Sequence, residues 1–213
     1  MMLRKLLFLL PLPLVVIGVF LLRPACIHSD VYETSGNLTY PKELRNVVQS
    51  VAASFPAIEK HEMTFRYDES VTSSVMQAQP QPYFLFEDNS NRSYVVKMRP
   101  YLTAGSDSMK ISELPPEVLS GWLSHELGHI QDYLTRDKWD MIGFALKYLT
   151  SQNFIMNAES RADSLASLQG RAEELIQMKR FIQTNDLFED SYKIKISNLY
   201  PDTMQVLRFC EEK

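Results

Sequence analysis

His125-Glu126-Leu127-Gly128-His129 constrains this chain more than any other stretch, because two histidines four residues apart share a face only on a helix. The flanking sequence supplies that helix. Val118, Leu119, Trp122, Leu123, Leu127 and Ile130 repeat at helical spacing behind Pro115-Pro116, which predicts a helix to about Leu134. The pattern H-E-x-x-H then lets both imidazoles reach one metal ion, with Glu126 beside the first. Zinc held this way lowers the pKa of a bound water to around 7, and a carboxylate such as Glu126 can take its proton during attack on a carbonyl. No serine or cysteine nucleophile is then needed. The bland alternative is a pair of surface histidines on an amphipathic helix, although the motif uses two of the chain's four.

Catalytic zinc takes a third protein ligand and keeps an open position. No histidine follows His129, and the other two, His28 and His61, lie upstream. A carboxylate is the natural third ligand, and Glu159 in Asn157-Ala158-Glu159-Ser160-Arg161-Ala162-Asp163 is the best candidate. Glu159 and Asp163 stand at i and i+4, so a helix projects both from one face. Glu159 can ligate while Asp163 accepts the outward N–H of a ligand histidine and fixes its tautomer. The ordinary alternative is a solvated helix acid, and Glu173 and Glu174 are the fallback acids, with no carboxylate at i+4.

The two motifs together resemble the gluzincin metallopeptidases. They are most similar to the Ste24-type integral-membrane branch, where the second motif often reads Glu-x-x-Ala-Asp, and the small size resembles the minigluzincins. The match covers about Lys42 to Phe181, with only the two motifs sharp. The resemblance implies one zinc per chain held by His125, His129 and Glu159, peptide-bond hydrolysis with Glu126 as general base and acid, and peptides or unfolded proteins as substrates. It also implies a strand before the motif helix as the upper rim of the cleft, a position held here by Ser93–Arg99, which could pair with an extended peptide. One feature of the thermolysin-like members is missing: a later histidine that helps to stabilise the oxyanion. Tyr148, Tyr192, Tyr200 and Arg208 are the open candidates for that work.

Leu6 to Leu22 is a 17-residue stretch without charge, bracketed by Arg4-Lys5 and Arg23, at the short end of a membrane-spanning helix. A cleaved signal peptide, and secretion with it, is the rival reading, but such cores run ~7–15 residues before a small-x-small site. Leu22-Arg23-Pro24-Ala25-Cys26 offers a poor one. Residues 1–25 are therefore expected to be a signal-anchor helix, 26–40 a tether and 41–213 the catalytic domain. Two basic residues precede the apolar run and one follows, which sets the domain on the extracytoplasmic side.

Without the three basic residues of the anchor, 19 basic residues face 26 acidic ones, a charge of −7. That balance argues against nucleic acid as a partner. Two cysteines exclude a disulfide scaffold or Cys-rich zinc module, and pairing of Cys26 with Cys210 stays open, as does the oligomeric state.

The predicted order of elements is a helix from Pro41 to Phe55, a strand over Glu62–Tyr67, a hairpin of Tyr83–Glu87 with Ser93–Arg99, then helices to about Gln183. Val71–Pro82 reads as loop, since Pro80 and Pro82 are breakers. Helix, strands, then helices signals an α+β fold: a small antiparallel or mixed sheet followed by the motif helix and a Glu-bearing helix, a zincin-like core. Trp139 to Leu149 is apolar enough to lean on a membrane and too short to span one, and a buried helix behind the motif helix is the main expectation. Gly128 is expected to permit close approach of the strand or substrate. Ser197–Lys213 is open between a latency segment over the cleft and ordinary packing.

Three function classes compete. The first is a membrane-anchored zinc endopeptidase. The second is a sensor or scaffold that keeps the zinc fold and binds partner peptides with latent or lost catalysis. The third is a zinc hydrolase acting on something other than peptides, since a ligand set does not fix a substrate.

Overall fold

Two-residue turns organise the start of the sheet. Gly36-Asn37 joins β1 (Tyr32–Ser35) to β2 (Leu38–Pro41), and Gly36 takes φ 60°, which a type II′ hairpin turn requires at its first central residue. The computed structural model describes residues 31–211, so the apolar stretch Leu6–Leu22 lies outside the described residues. Among the described residues, no helix is long and apolar enough to cross a membrane.

The fold is α+β, with a small mixed sheet and helices. After β2 come a 3-10 turn and α1 (Arg45–Ala52), then β3 (Met63–Tyr67), β4 (Met76–Pro80) and β5 (Tyr94–Met98). The strand order is β1-β2-β3-β5-β4: β2, β3 and β5 run parallel, while β1 and β4 are antiparallel to their neighbours at the two edges. A separate hairpin, β6 (Tyr101–Ala104) with β7 (Asp107–Lys110), leads into the helices. These are α2 (Pro116–Tyr133), α3 (Lys138–Thr150), α4 (Gln152–Leu168), α5 (Ala172–Thr184), α6 (Asp190–Leu199) and α7 (Thr203–Glu211).

Three sequence expectations are corrected here. The first strands lie in the segment read as a tether, because Tyr32–Pro41 alternates around a Gly-Asn turn and joins the sheet through β2 and β3. Tyr83–Glu87 is not a strand; its first residues form a 3-10 turn over Pro82–Leu85, and Tyr83 and Phe86 are exposed. The partner of β5 is β4, in the segment read as loop. Ser93–Arg99 is therefore an internal strand, with both edges taken by β3 and β4, and has no free edge for a peptide.

Proline misled the reading for a reason the register makes plain. Gln81 N donates to Ser93 O and Arg99 N to Val75 O, so the odd-numbered residues of β4 carry its ladder with β5. Even-numbered residues turn their backbone groups to the outer edge. Pro80 sits at an even position, where a missing N–H removes no ladder bond.

The motif helix α2 is the centre of the molecule, packed against α4 and α5 and also against β4 and α1. Leu123, Leu127 and Ile130 are wholly buried there. A Cβ on Gly128 would collide with the carbonyl oxygen of Ala162, so α2 and α4 touch backbone to backbone. The close approach expected of this glycine is thus made by the Glu-bearing helix, and not by a strand or ligand. Asp132 locks the same pair of helices: it pairs with Arg136 at 2.7 Å and with Arg161 of α4. The end of α2 is held by Arg92, itself fully buried, which donates to the carbonyls of Tyr133 at 3.4 Å and Arg136 at 3.1 Å.

At the C-terminus, α6 and α7 are elements that the sequence reading lacks. Helix α7 packs on α4 and α5 through the buried Val206, while Tyr200, just before it, lies over His125, so the described part of Ser197–Lys213 both packs on the helices and reaches the motif. Cys210 is half-buried on α7, and Cys26 lies outside the described residues.

Candidate metal centre

Helix α2 contributes His125, Glu126 and His129, and α4 contributes Glu159 and Asp163, each buried to within 7% exposure or less. The imidazole ligand nitrogens and a carboxylate oxygen of His125, His129 and Glu159 lie within 4.8 Å of one another. Glu159 Oε2 is 3.0 Å from His125 Nε2 and 3.4 Å from His129 Nε2. The two imidazole rings meet edge to face, with centroids 4.7 Å apart.

Two of the three groups, His125 and Glu159, are oriented by a further residue. His125 Nδ1 is 2.8 Å from Asp163 Oδ1, which fixes that nitrogen as the donor and leaves Nε2 to face Glu159 and His129. The other oxygen of Asp163 pairs with Lys179 Nζ of α5 at 2.8 Å, with both groups buried. Glu159 Oε1 accepts from the Tyr148 hydroxyl of α3. Its Oε2 is buried, makes no hydrogen bond of acceptable geometry, and faces the two Nε2 atoms. That unmatched oxygen, with two nitrogens beside it, is the donor set a divalent cation would complete. The residues fit a metal.

The electrostatics point the same way. Burial works against a charged His125, but the Asp163 carboxylate bonded to it and the Glu159 carboxylate beside it prevail and raise it to about 10 in the metal-free protein. Burial likewise opposes the charge on Glu159 and Asp163. His129 and His125 hold Glu159 well below the usual carboxylate range nonetheless, and Lys179 does the same to Asp163 more mildly. Glu126 differs: burial pushes its carboxyl up, against the pull of the two histidines and the Ala78 backbone N–H. Ala78 is an even-numbered residue of the edge strand, so its N–H points outward from the sheet, toward the motif helix.

A small cavity beside the centre is lined by Val75 and Met76 at the start of β4, by His125 and Glu126, by Tyr192 of α6 and by Tyr200 just after it. Tyr200 lies over His125, with ring centroids 5.5 Å apart, and Lys179 Nζ lies 5.4 Å from the Tyr200 ring. Burial pushes the Tyr192 hydroxyl up to about 12.

All five expected site residues, His125, Glu126, His129, Glu159 and Asp163, thus come together. The fallback acids do not: Glu174 pairs with Arg171 at 2.8 Å and Glu173 accepts from Gln177 at 2.7 Å. His61 bonds instead to Arg92 O at 2.9 Å. Of the four oxyanion candidates, Tyr148, Tyr192 and Tyr200 reach the centre, while Arg208 is exposed on α7. Lys179 and Ala78 were missed. Lys179 had a signal, since it shares the apolar face of α5 with Leu175, Ile176 and Ile182. Ala78 had none, because its contribution is a backbone N–H. No family model, no curated protein and no solved structure matches this chain.

Proposed function

We propose that the chain is a zinc-dependent endopeptidase of gluzincin type, with a zincin-like core, anchored by Leu6–Leu22 and facing the extracytoplasmic side. The reading is carried by one observation: His125, His129 and Glu159 converge with Glu126 beside them and Asp163 behind His125. Zinc, when bound, supplies a Lewis acid for the carbonyl and a water acidic enough to lose its proton near neutrality. Glu126, with a carboxyl raised by burial, is the residue that would take that proton and return it to the leaving amine. Asp163 holds His125 in the tautomer that presents Nε2, and Tyr148 anchors Glu159 from the other side. The outward backbone groups of Met76 and Ala78 on β4 are the edge where an extended peptide would pair.

A second reading is a zinc-holding scaffold or latent form. It is favoured by the small size of the cavity that Tyr192 and Tyr200 help to line, and by the burial of His125, Glu126 and His129 at 4, 5 and 7% exposure. The deciding measurement is metal content together with cleavage of unfolded casein or a peptide library, with Glu126→Gln alongside. One zinc per chain in both proteins, and cleavage lowered by roughly 10²–10⁴-fold in the variant, is the expected result. Zinc in both with equal inactivity selects the scaffold or latent form. Absence of zinc ends both readings.

A further inference from the structure

Helix α3 buries Met141 and Phe144 and turns a continuous apolar stripe to solvent. Trp139, Ile142, Leu146 and Leu149 recur at offsets of three, four and three residues, and are 70, 39, 57 and 62% exposed. A soluble protein rarely leaves so large an aromatic and aliphatic stripe on one helix without a partner. The neighbouring 3-10 turn adds to it: Lys138 Nζ, at the start of α3, reaches Leu85 O at 3.5 Å, and next to Leu85 stands Phe86, 87% exposed. Apolar side chains with tryptophan among them and lysines at their flanks, here Lys138 and Lys147, suit the boundary between headgroups and acyl chains.

The length of chain before the sheet says which surface is in reach. With Leu6–Leu22 in the bilayer, nine residues, Arg23 to Val31, precede β1 at Tyr32. Fully extended, they span at most roughly 30 Å. A domain on so short a leash stays against the membrane, and its most apolar exposed face is the one to lie there. We propose that the Trp139–Ile142–Leu146–Leu149 face of α3 rests in the interfacial layer of the bilayer, with the helix parallel to its plane. The same helix carries Tyr148, bonded to Glu159 on its inner side, so the metal centre is then held close to the membrane surface. The proposal depends on the anchor and not on peptidase chemistry.

The test uses the full chain in phosphatidylcholine nanodiscs. Co-elution with the discs reports the anchor, and iodide quenching of tryptophan emission reports the stripe. Trp122, the other tryptophan, is 5% exposed and serves as a constant background. The expected quenching constant is lower by about fivefold or more than that of the Leu146→Glu/Leu149→Glu variant in the same discs, since shielding in the interfacial layer needs an apolar face. Brominated lipids should quench the wild-type chain and not Trp139→Tyr. Three results overturn the proposal. The first is equal iodide quenching of wild type and double variant in chains that co-elute, which leaves the anchor standing. The second is shielding lost when discs hold one chain each, which assigns the stripe to a second copy. The third is failure to co-elute, which removes the anchor as well.

Discussion

On its helical side the candidate centre is held by side chains at fixed spacings, whereas on its strand side it meets mostly backbone. Helices α2, α4 and α5 converge through His125, Asp163 and Lys179, the first two hydrogen-bonded and the last two ion-paired, each at 2.8 Å, and through the Asp132–Arg161 pair. Strand β4 answers with half-buried Gln77, Ala78 and Gln79 and with outward peptide groups. One wall is specified by residue identity and the other by register. Mutations should therefore act on the first through the residue lost and on the second through the backbone group lost.

The largest effect in this contrast is expected on the helical wall. Asp163→Ala removes both the acceptor of His125 Nδ1 and the counter-charge of Lys179. Metal affinity should fall about 10–100-fold, as it does when the group orienting a ligand histidine is lost. Breaking a buried ion pair from one side should also cost about 3–5 kcal/mol of stability. Metal titration and denaturant unfolding measure the two separately. A variant with unchanged affinity would mean that Asp163 serves packing alone.

A smaller effect comes from pH, again through the helical wall. In the metal-free protein His125 is raised to about 10 by Asp163 and Glu159, against burial. Its folded value lies above the unfolded one of about 6.5, so it stabilises fully below that pH, and the contribution is lost as pH rises through about 10. Metal replaces the proton, so the loaded protein should not show this fall. Thermal unfolding from pH 6 to about 10, with and without zinc, reads the difference, and calorimetry in buffers of different ionisation heat should find a proton released on loading at neutral pH. Parallel pH profiles for the two forms would rule out a protonated His125.

The same contrast explains what a reader of the sequence can see. The i, i+4 spacings of His125 with His129 and of Glu159 with Asp163 carry the helical wall, and the structure brings those four together. Strand β4 alternates Met76 and Ala78 with Gln77 and Gln79, too short and weakly apolar a run to stand out, and Pro80 within it and Pro82 just beyond it hide an edge strand that tolerates a proline. Helix α3 deceived in another way. Its sequence is apolar on two opposite sides, which reads as buried, yet only Met141 and Phe144 are covered. Helices α6 and α7 are short and largely exposed, with Ile196 and Val206 as their buried contacts, too few to set a period.

The subtlest prediction tests register itself. Ala78→Pro deletes one N–H, and parity says that this N–H faces Glu126 and the outer edge, not β5. The ladder should survive, as it does with Pro80 two residues on, and unfolding should shift by no more than about 1 kcal/mol. In the peptidase proposed above, activity should fall about fivefold, the worth of one hydrogen bond near 1 kcal/mol. KM should rise as the peptide loses a partner on the edge, and the acidic limb of the pH profile should move up as Glu126 loses a donor that favours its charged form. Gln79→Pro, one residue further, deletes an N–H that points into the ladder and should destabilise the fold more while sparing Glu126. The pair separates register from composition, because the same substitution is made at adjacent half-buried positions. If both variants unfold alike, β4 is not in the register that sets Ala78 against Glu126, and the strand wall has no claim on the chemistry.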